Sequence, residues 1–212
     1  MYLRSKFFRH SNPYVIHNTP LKKTIEILTK RTRLRLIEIS DLDSIHTLHS
    51  LPETDEFNTL GIPKSIEETK RIITPWIAEN KRTHIRNYTF AIESIMTNDF
   101  IGLFGLILGN EKYRSGEVWY KLHSDHWNKG LASEVLARMI DYGFDALNLH
   151  RIQAGCAVEN IGSIKVLEKV GMIREGRGRQ ILPLKSGWSD NFAYSILETD
   201  IRKLSTTKPK LK

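Results

Sequence analysis

A chain of 212 residues, 40% of them hydrophobic and 26% charged, has the length and composition of one sizeable globular domain. Its apolar runs fall well short of the roughly 18–20 residues that cross a bilayer, and a lone cysteine, Cys156, excludes an internal disulfide. Eight histidines at no ligand spacing argue against zinc, and the net charge of +8 sits at the two ends of the chain.

Residues 1–35 carry nine Lys/Arg against one acid, Glu26, and the last ten residues carry four lysines and no acid. Between them, positions 36–202 hold nineteen basic and 23 acidic residues, so the body is slightly acidic. Basic ends can contact RNA or a ribosome, although soluble ends are the plainer reading. Residues 1–30 are basic in the manner of a targeting presequence, but Pro13 and Pro20 interrupt any long helix. A basic extension is expected there, ending in a short helix at Leu21–Thr29. The expected organisation is an extension at 1–30, one domain at 31–203 and a basic tail at 204–212, in a cytoplasmic protein without a membrane partner.

From Arg33 the pattern sharpens. Leu34, Leu36 and Ile39 alternate with polar residues as in a strand, and Ser40-Asp41 then offers a helix N-cap ahead of Ile45 and Leu48. Ser65 and Glu68 form a capping box for a helix reaching about Asn80, with Pro75 marking a kink or break. Tyr88–Ile95 and Phe100–Leu108 read as strands joined by the turn Met96-Thr97-Asn98-Asp99, and Gly116–His123 as a further strand. Leu131, Val135, Leu136, Met139, Ile140, Phe144 and Leu147 then share one face of a long helix. Arg151–Val158 follows as a strand, so this segment is a βαβ unit whose strands run parallel. Asn160 caps a second helix, with Ile161, Ile164, Leu167 and Val170 on its apolar face and Gly171 ending it. Strands near Met172–Arg179 and Asn191–Glu198 close the domain. The fold class is α+β: a mostly antiparallel mixed sheet with helices on both faces and one parallel pair splayed into a crevice.

The strand-to-helix junction at that crevice is Trp127-Asn128-Lys129-Gly130-Leu131-Ala132. Unpaired N–H groups and the positive end of a helix make it an anion site, and phosphate is the usual occupant. Gly130 permits close backbone approach, Lys129 adds a charge, Ala132 stays small and the Ser133 hydroxyl can donate.

These stretches resemble the GNAT superfamily of acyl-CoA-dependent N-acetyltransferases, over roughly residues 31–200. Within it they look most like the RimJ/RimL-type branch, which acetylates the N-terminal amines of ribosomal proteins. "RTRLRLIEISDLDSI", "GEVWYKL", "HWNKGLASE" and "VENIGSIKVLEKVGM" carry the likeness, the third with Trp127 where the superfamily has Gln or Arg. The resemblance implies acetyl-CoA as cosubstrate, no metal, and a primary amine as acceptor on a protein N-terminus or a small molecule. It implies a pyrophosphate site at Trp127, Asn128, Lys129, Gly130, Leu131, Ala132 and Ser133. The pantetheine arm would lie along Leu122 and His123, one of which supplies the oxyanion N–H, with Asn160 and Ser163 at the crevice mouth. Glu117 is the expected base and Glu93 a weaker one. The superfamily's helix-four tyrosine acid is replaced by Leu167, leaving Ser163 or Tyr194 to serve. Trp76, Trp119 and Trp188 are expected in the core or a substrate channel, and residues 182–190 in an acceptor-selecting loop. His46 and His49 read as one solvated helix face. The oligomer is expected to be a monomer or a homodimer. A coenzyme-binding sensor or an RNA-associated protein of the same fold is the alternative.

Overall fold

The computed structural model describes residues 14–19 and 22–204, with side chains from Ile25 onward. Two strands, β1 (Tyr14–Thr19) and β2 (Lys22–Leu28), form an antiparallel hairpin at one sheet edge. This replaces the short helix expected at Leu21–Thr29. Ile25 and Ile27 are buried while Leu28 is exposed, a period of two that a pleated strand satisfies and a helix does not.

Next come β3 (Thr32–Leu36), α1 (Leu42–Ser50), the single turn α2 (Pro52–Asp55) and α3 (Ile66–Asn80). Ser65 caps α3 by accepting from the Glu68 N–H. The helix runs through Pro75 without breaking: that residue lies on the exposed face, where water can take the Arg71 carbonyl that proline leaves unbonded. Asn80 ties the helix to the sheet through reciprocal bonds with the Thr89 backbone.

The remaining elements are β4 (Asn87–Ser94), β5 (Phe100–Leu108), β6 (Ser115–Leu122), α4 (Leu131–Asp145), β7 (Arg151–Ala157), α5 (Ile161–Val170), β8 (Ile173–Leu184) and β9 (Gly187–Leu197). They form one nine-stranded sheet in the order β1-β2-β3-β4-β5-β6-β7-β9-β8. Every pair is antiparallel except β6 with β7. Residues 182–190 are therefore mostly the tip of the β8–β9 hairpin, with Lys185 and Ser186 as its turn, instead of an open loop. Two cores flank the sheet. α4 and α5 cover one face through Val135, Leu136, Ile140, Phe144 and Leu167; α1 and α3 cover the other through Ile45, Leu48, Ile73 and Ile77. The expected C-terminal tail lies, apart from Leu204, outside the described residues, as does most of the extension before Tyr14.

Candidate active site

The parallel pairing of β6 and β7 lasts for three residues only: Ser115 with Arg151, Gly116 with Ile152 and Glu117 with Gln153. Beyond Glu117 the strands separate. On β6 the odd positions bond toward β5, as the His123 N–H does to the Ile101 carbonyl at 2.9 Å. The N–H groups of Val118, Tyr120 and Leu122 consequently point the other way, toward the departed β7. Of Leu122 and His123, then, Leu122 turns its N–H toward the wedge, while the His123 N–H is spent on the sheet. The Leu122 carbonyl accepts from the Trp127 indole at 2.8 Å, which pins the loop to the strand end.

The wedge opens into a cavity of about 1070 Å³, lined from one side by Trp127, Asn128, Gly130, Leu131, Ala132 and Ser133. Asn128 and Gly130 both have left-handed backbones, with φ of 58° and 74°, and Gly130 is the N-cap residue of α4. The first bond inside the helix runs from the Glu134 N–H to the Gly130 carbonyl, so the Leu131, Ala132 and Ser133 N–H groups have no helical partner. Asn160 lines the cavity and also caps α5, its Oδ1 accepting from the Ser163 N–H at 3.0 Å. Lys129 and His123 stand beside the cavity without lining it. Arg31, which sequence reasoning did not single out, braces the loop: it donates to the Lys129 carbonyl at 2.9 Å and to Glu134 at 2.7 Å. Its only sequence signal was its place at the start of the domain.

Glu117 does not line the cavity. It sits where β6 and β7 are still zipped together, is exposed, and accepts from Gln153 at 3.3 Å. Glu93 is committed as well: it is buried and takes bonds from both Arg33 and Arg35. Tyr194 is fully buried and donates to Glu168 at 3.2 Å, away from the cavity. Ser163 does line it, near the buried Tyr120 hydroxyl, which finds no hydrogen-bond partner among the described residues. Burial pushes the Tyr120 phenol above its ordinary range. Burial likewise pushes the Cys156 thiol up to about 11, making it a poor nucleophile although it lines the wall.

The opposite wall comes from α1, α2, α3 and the odd face of β6. Trp119 and Trp76 meet there with ring centroids 5.8 Å apart, and His49 packs against Trp76 at 6.4 Å. Trp188, by contrast, is exposed on the hairpin. Trp119 lies directly on Gly105 of β5: a Cβ at that position would sit 2.0 Å from the indole. Gly105→Ala is therefore expected to destabilise the fold by roughly 1–3 kcal/mol and to push Trp119 into the cavity. Denaturant midpoints and the acceptor KM check this, and the acceptor KM should rise more than that of the coenzyme.

His49 is 2% exposed, contrary to the solvated face expected of it. Its Nδ1 lies 3.2 Å from the Lys121 ammonium, which makes Nδ1 the acceptor and Nε2 the protonated nitrogen. Burial, then the charge of Lys121, hold the imidazole down to about 4. The unfolded chain binds this proton near ~6.5, so the stability it contributes is present above that pH and is lost as pH falls toward 4. His126 is lowered too and acts with the same sign. Melting temperature is expected to drop between pH 6.5 and 4.5, with a shallower slope in His49→Asn. An unchanged slope would count against it.

A family model for the acetyltransferase (GNAT) domain matches residues 31–173. The uncharacterized N-acetyltransferase YoaA of Bacillus subtilis is 32% identical over 170 residues, covering 80% of this chain and 95% of that protein. A GNAT-family acetyltransferase from Bacillus anthracis superposes with a TM-score of 0.72 at 28% identity, covering 82% and 99% of the two chains. Spermidine N-acetyltransferase of Vibrio cholerae, solved with CoA and spermine, gives a TM-score of 0.69 at 28% identity over 78% and 95%. Ribosomal-protein-S5-alanine acetyltransferase of Vibrio fischeri gives 0.70 over 81% and 96%, and at 24% identity shares the fold alone. Among the described residues no cluster of side chains could hold a metal ion, and no helix is long and apolar enough to cross a membrane.

Proposed function

The chain belongs to the GNAT family of acetyl-CoA-dependent N-acetyltransferases, and from that premise we propose that its acceptor is a primary α-amine, on a peptide N-terminus or a small molecule. The observation that carries this reading is the acceptor wall. Of the charged residues of this wall that line the cavity, Lys121 is half-buried beside a neutral histidine, while the carboxylates Glu53 and Glu56 are exposed. A polycation would bring several positive charges to a wall whose half-buried ionisable group is itself basic, whereas a monoamine brings one. An α-amine has a reference pKa near ~7.7–8.0 against ~10.4 for a lysine side chain, so it yields its proton with the least help.

The coenzyme's diphosphate is assigned to the N–H groups of Leu131, Ala132 and Ser133, where the helix dipole and three unbonded donors converge. Asn128, Lys129 and Gly130 complete that loop, Trp127 fixes it, and Asn160 and Ser163 take the pantetheine amides. Leu122 N–H is assigned to the developing oxyanion, and the Tyr120 and Ser163 hydroxyls to the leaving sulfur. The basic termini, the suggested ribosome contact, lie largely outside the described residues.

The test is thiol release from acetyl-CoA across a panel of N-terminal peptides, amino-acid amides and polyamines, with calorimetric titration of the coenzyme alongside. Turnover on α-amines is expected. Preferred turnover of spermidine would replace the acceptor assignment, and coenzyme binding with no thiol release on any amine would make the protein a sensor.

A further inference from the structure

The cavity holds several titratable groups, and their surroundings separate them. Glu159, at the α5 side, accepts from Ser189 at 3.0 Å. Lys165 and Lys169 are exposed on α5, Glu53 and Glu56 stand in water on α2, and His126 sits at the rim of the coenzyme loop. Cys156 and Tyr120 keep their protons through neutral pH. His49 has already surrendered its own and uses Nδ1 as an acceptor.

Lys121 is different. It lies one residue before Leu122, on the β6 face that meets α1 and α3, and it lines the cavity. Its hydrogen-bond partner is the uncharged His49 ring. Among the described residues no carboxylate lies within ion-pair distance of it. Asp55 of α2, itself buried with an unpartnered Oδ1, is the acid that acts on it, more remotely. Lys121 is half-buried, Trp76 from α3 and Trp119 from its own strand line the same cavity, and His46 of α1 lies close enough to act on His49. An ammonium that loses hydration without gaining an anion is held in its charged state weakly.

We propose that Lys121 is the proton acceptor of the transfer, held in place by His49 and acting on the acceptor ammonium in the cavity. The proposal rests on the acetyl-transfer reading and adds the residue that activates the nucleophile. The neutral Lys121 amine takes one proton from R–NH3⁺ and becomes an ammonium. The freed amine lone pair attacks the acetyl carbonyl carbon, forming the C–N bond. The C–S bond then breaks with its electron pair on sulfur, and the second amine proton goes to that thiolate to give the free thiol. Lys121 returns its proton to solvent. Burial lowers Lys121 to about 8, with Asp55 pulling the other way, which places its proton exchange in the range where an α-amine also titrates.

Two measurements test this on the full chain. The Lys121 ¹³Cε resonance, assigned by its absence in Lys121→Arg, is expected to titrate with a midpoint near 8, and a midpoint above about 10, the ordinary lysine range, overturns the proposal. Lys121→Met and Lys121→Arg are both expected to lose kcat by roughly 10²–10³-fold, since arginine keeps the charge but cannot give up its proton. The acetyl-CoA dissociation constant should stay within about threefold in both, which also shows that they fold. Trimethylamine, which cannot be acetylated, should restore part of the Lys121→Met rate. Full activity in Lys121→Arg would mean that charge alone is needed, and full activity in Lys121→Met that neither is; each overturns the role. Absence of thiol release from the wild type would remove the reaction itself, a separate failure.

Discussion

Ala132→Asp is expected to weaken coenzyme binding by roughly a hundredfold or more while leaving the fold as stable as before, or slightly more so. Position 132 is the second residue of α4, in the turn whose Leu131, Ala132 and Ser133 N–H groups have no helical partner. A carboxylate there interacts favourably with the helix dipole, a gain of ~0.3–1 kcal/mol. The same carboxylate occupies the space and the donors meant for a diphosphate, and repels what it cannot displace. At about 5 Å and an effective dielectric near 20, each unit of like charge costs ~3 kcal/mol. Loss of roughly a hundredfold or more in acetyl-CoA affinity follows, read by calorimetry, with the thermal midpoint unchanged or raised. Ala132→Asn, of nearly the same size as aspartate but uncharged, should lose far less. Equal losses in the two variants would mean that crowding, and not an anion site, explains the loop.

The loop and helix ends on one side of the cavity were legible because their signals are local. Gly130, the apolar face of α4 and the Asn160 cap each lie within a few residues of what they act on, and the structure keeps all three as expected. The first hairpin was misread because the prolines at 13 and 20 spoke against a long helix without speaking for a strand. The alternation of Ile25 and Ile27 was the signal that should have decided it. Glu117 lies outside the cavity for a nonlocal reason: whether an odd position on β6 meets the crevice depends on where β7 stops pairing, and that length is set by packing across the whole sheet. The opposite wall was legible only in part: Trp76 and Trp119 line the cavity as expected, but the burial of His49 and its pairing with Lys121 were not anticipated. His49, Asp55, Trp76 and Lys121 come from four elements, and only the register of the fold brings them together. A histidine three residues from another looks solvated until the helix beneath it is placed.

Arg202→Ala should be the most destabilising single substitution on the side of the molecule away from the cavity. Arg202 follows β9, its side chain is 2% exposed, and it donates to Asp141 at 2.9 Å, with Asp145 at 3.5 Å. Its guanidinium lies 4.9 Å from the Phe144 ring centre, on the electron-rich face. All three partners belong to the last two turns of α4, the helix whose first turn is the proposed anion site. Acids are unfavourable at that end, where the helix dipole is negative, and Asp141 is itself 2% exposed. The arginine cancels both problems. Removing it takes from the buried Asp141 carboxylate a close ion-pair partner at the negative end of the helix dipole, a loss of about 3–5 kcal/mol, large against the ~5–15 kcal/mol of a whole domain. Urea unfolding should show the midpoint collapse in Arg202→Ala and recover substantially in Arg202→Met combined with Asp141→Asn, which removes the charge left behind. Because the clamp and the anion site lie at opposite ends of one helix, the folded fraction of Arg202→Ala should still bind acetyl-CoA with near wild-type affinity. Weakened binding in the folded fraction would mean that the two ends of α4 are mechanically coupled.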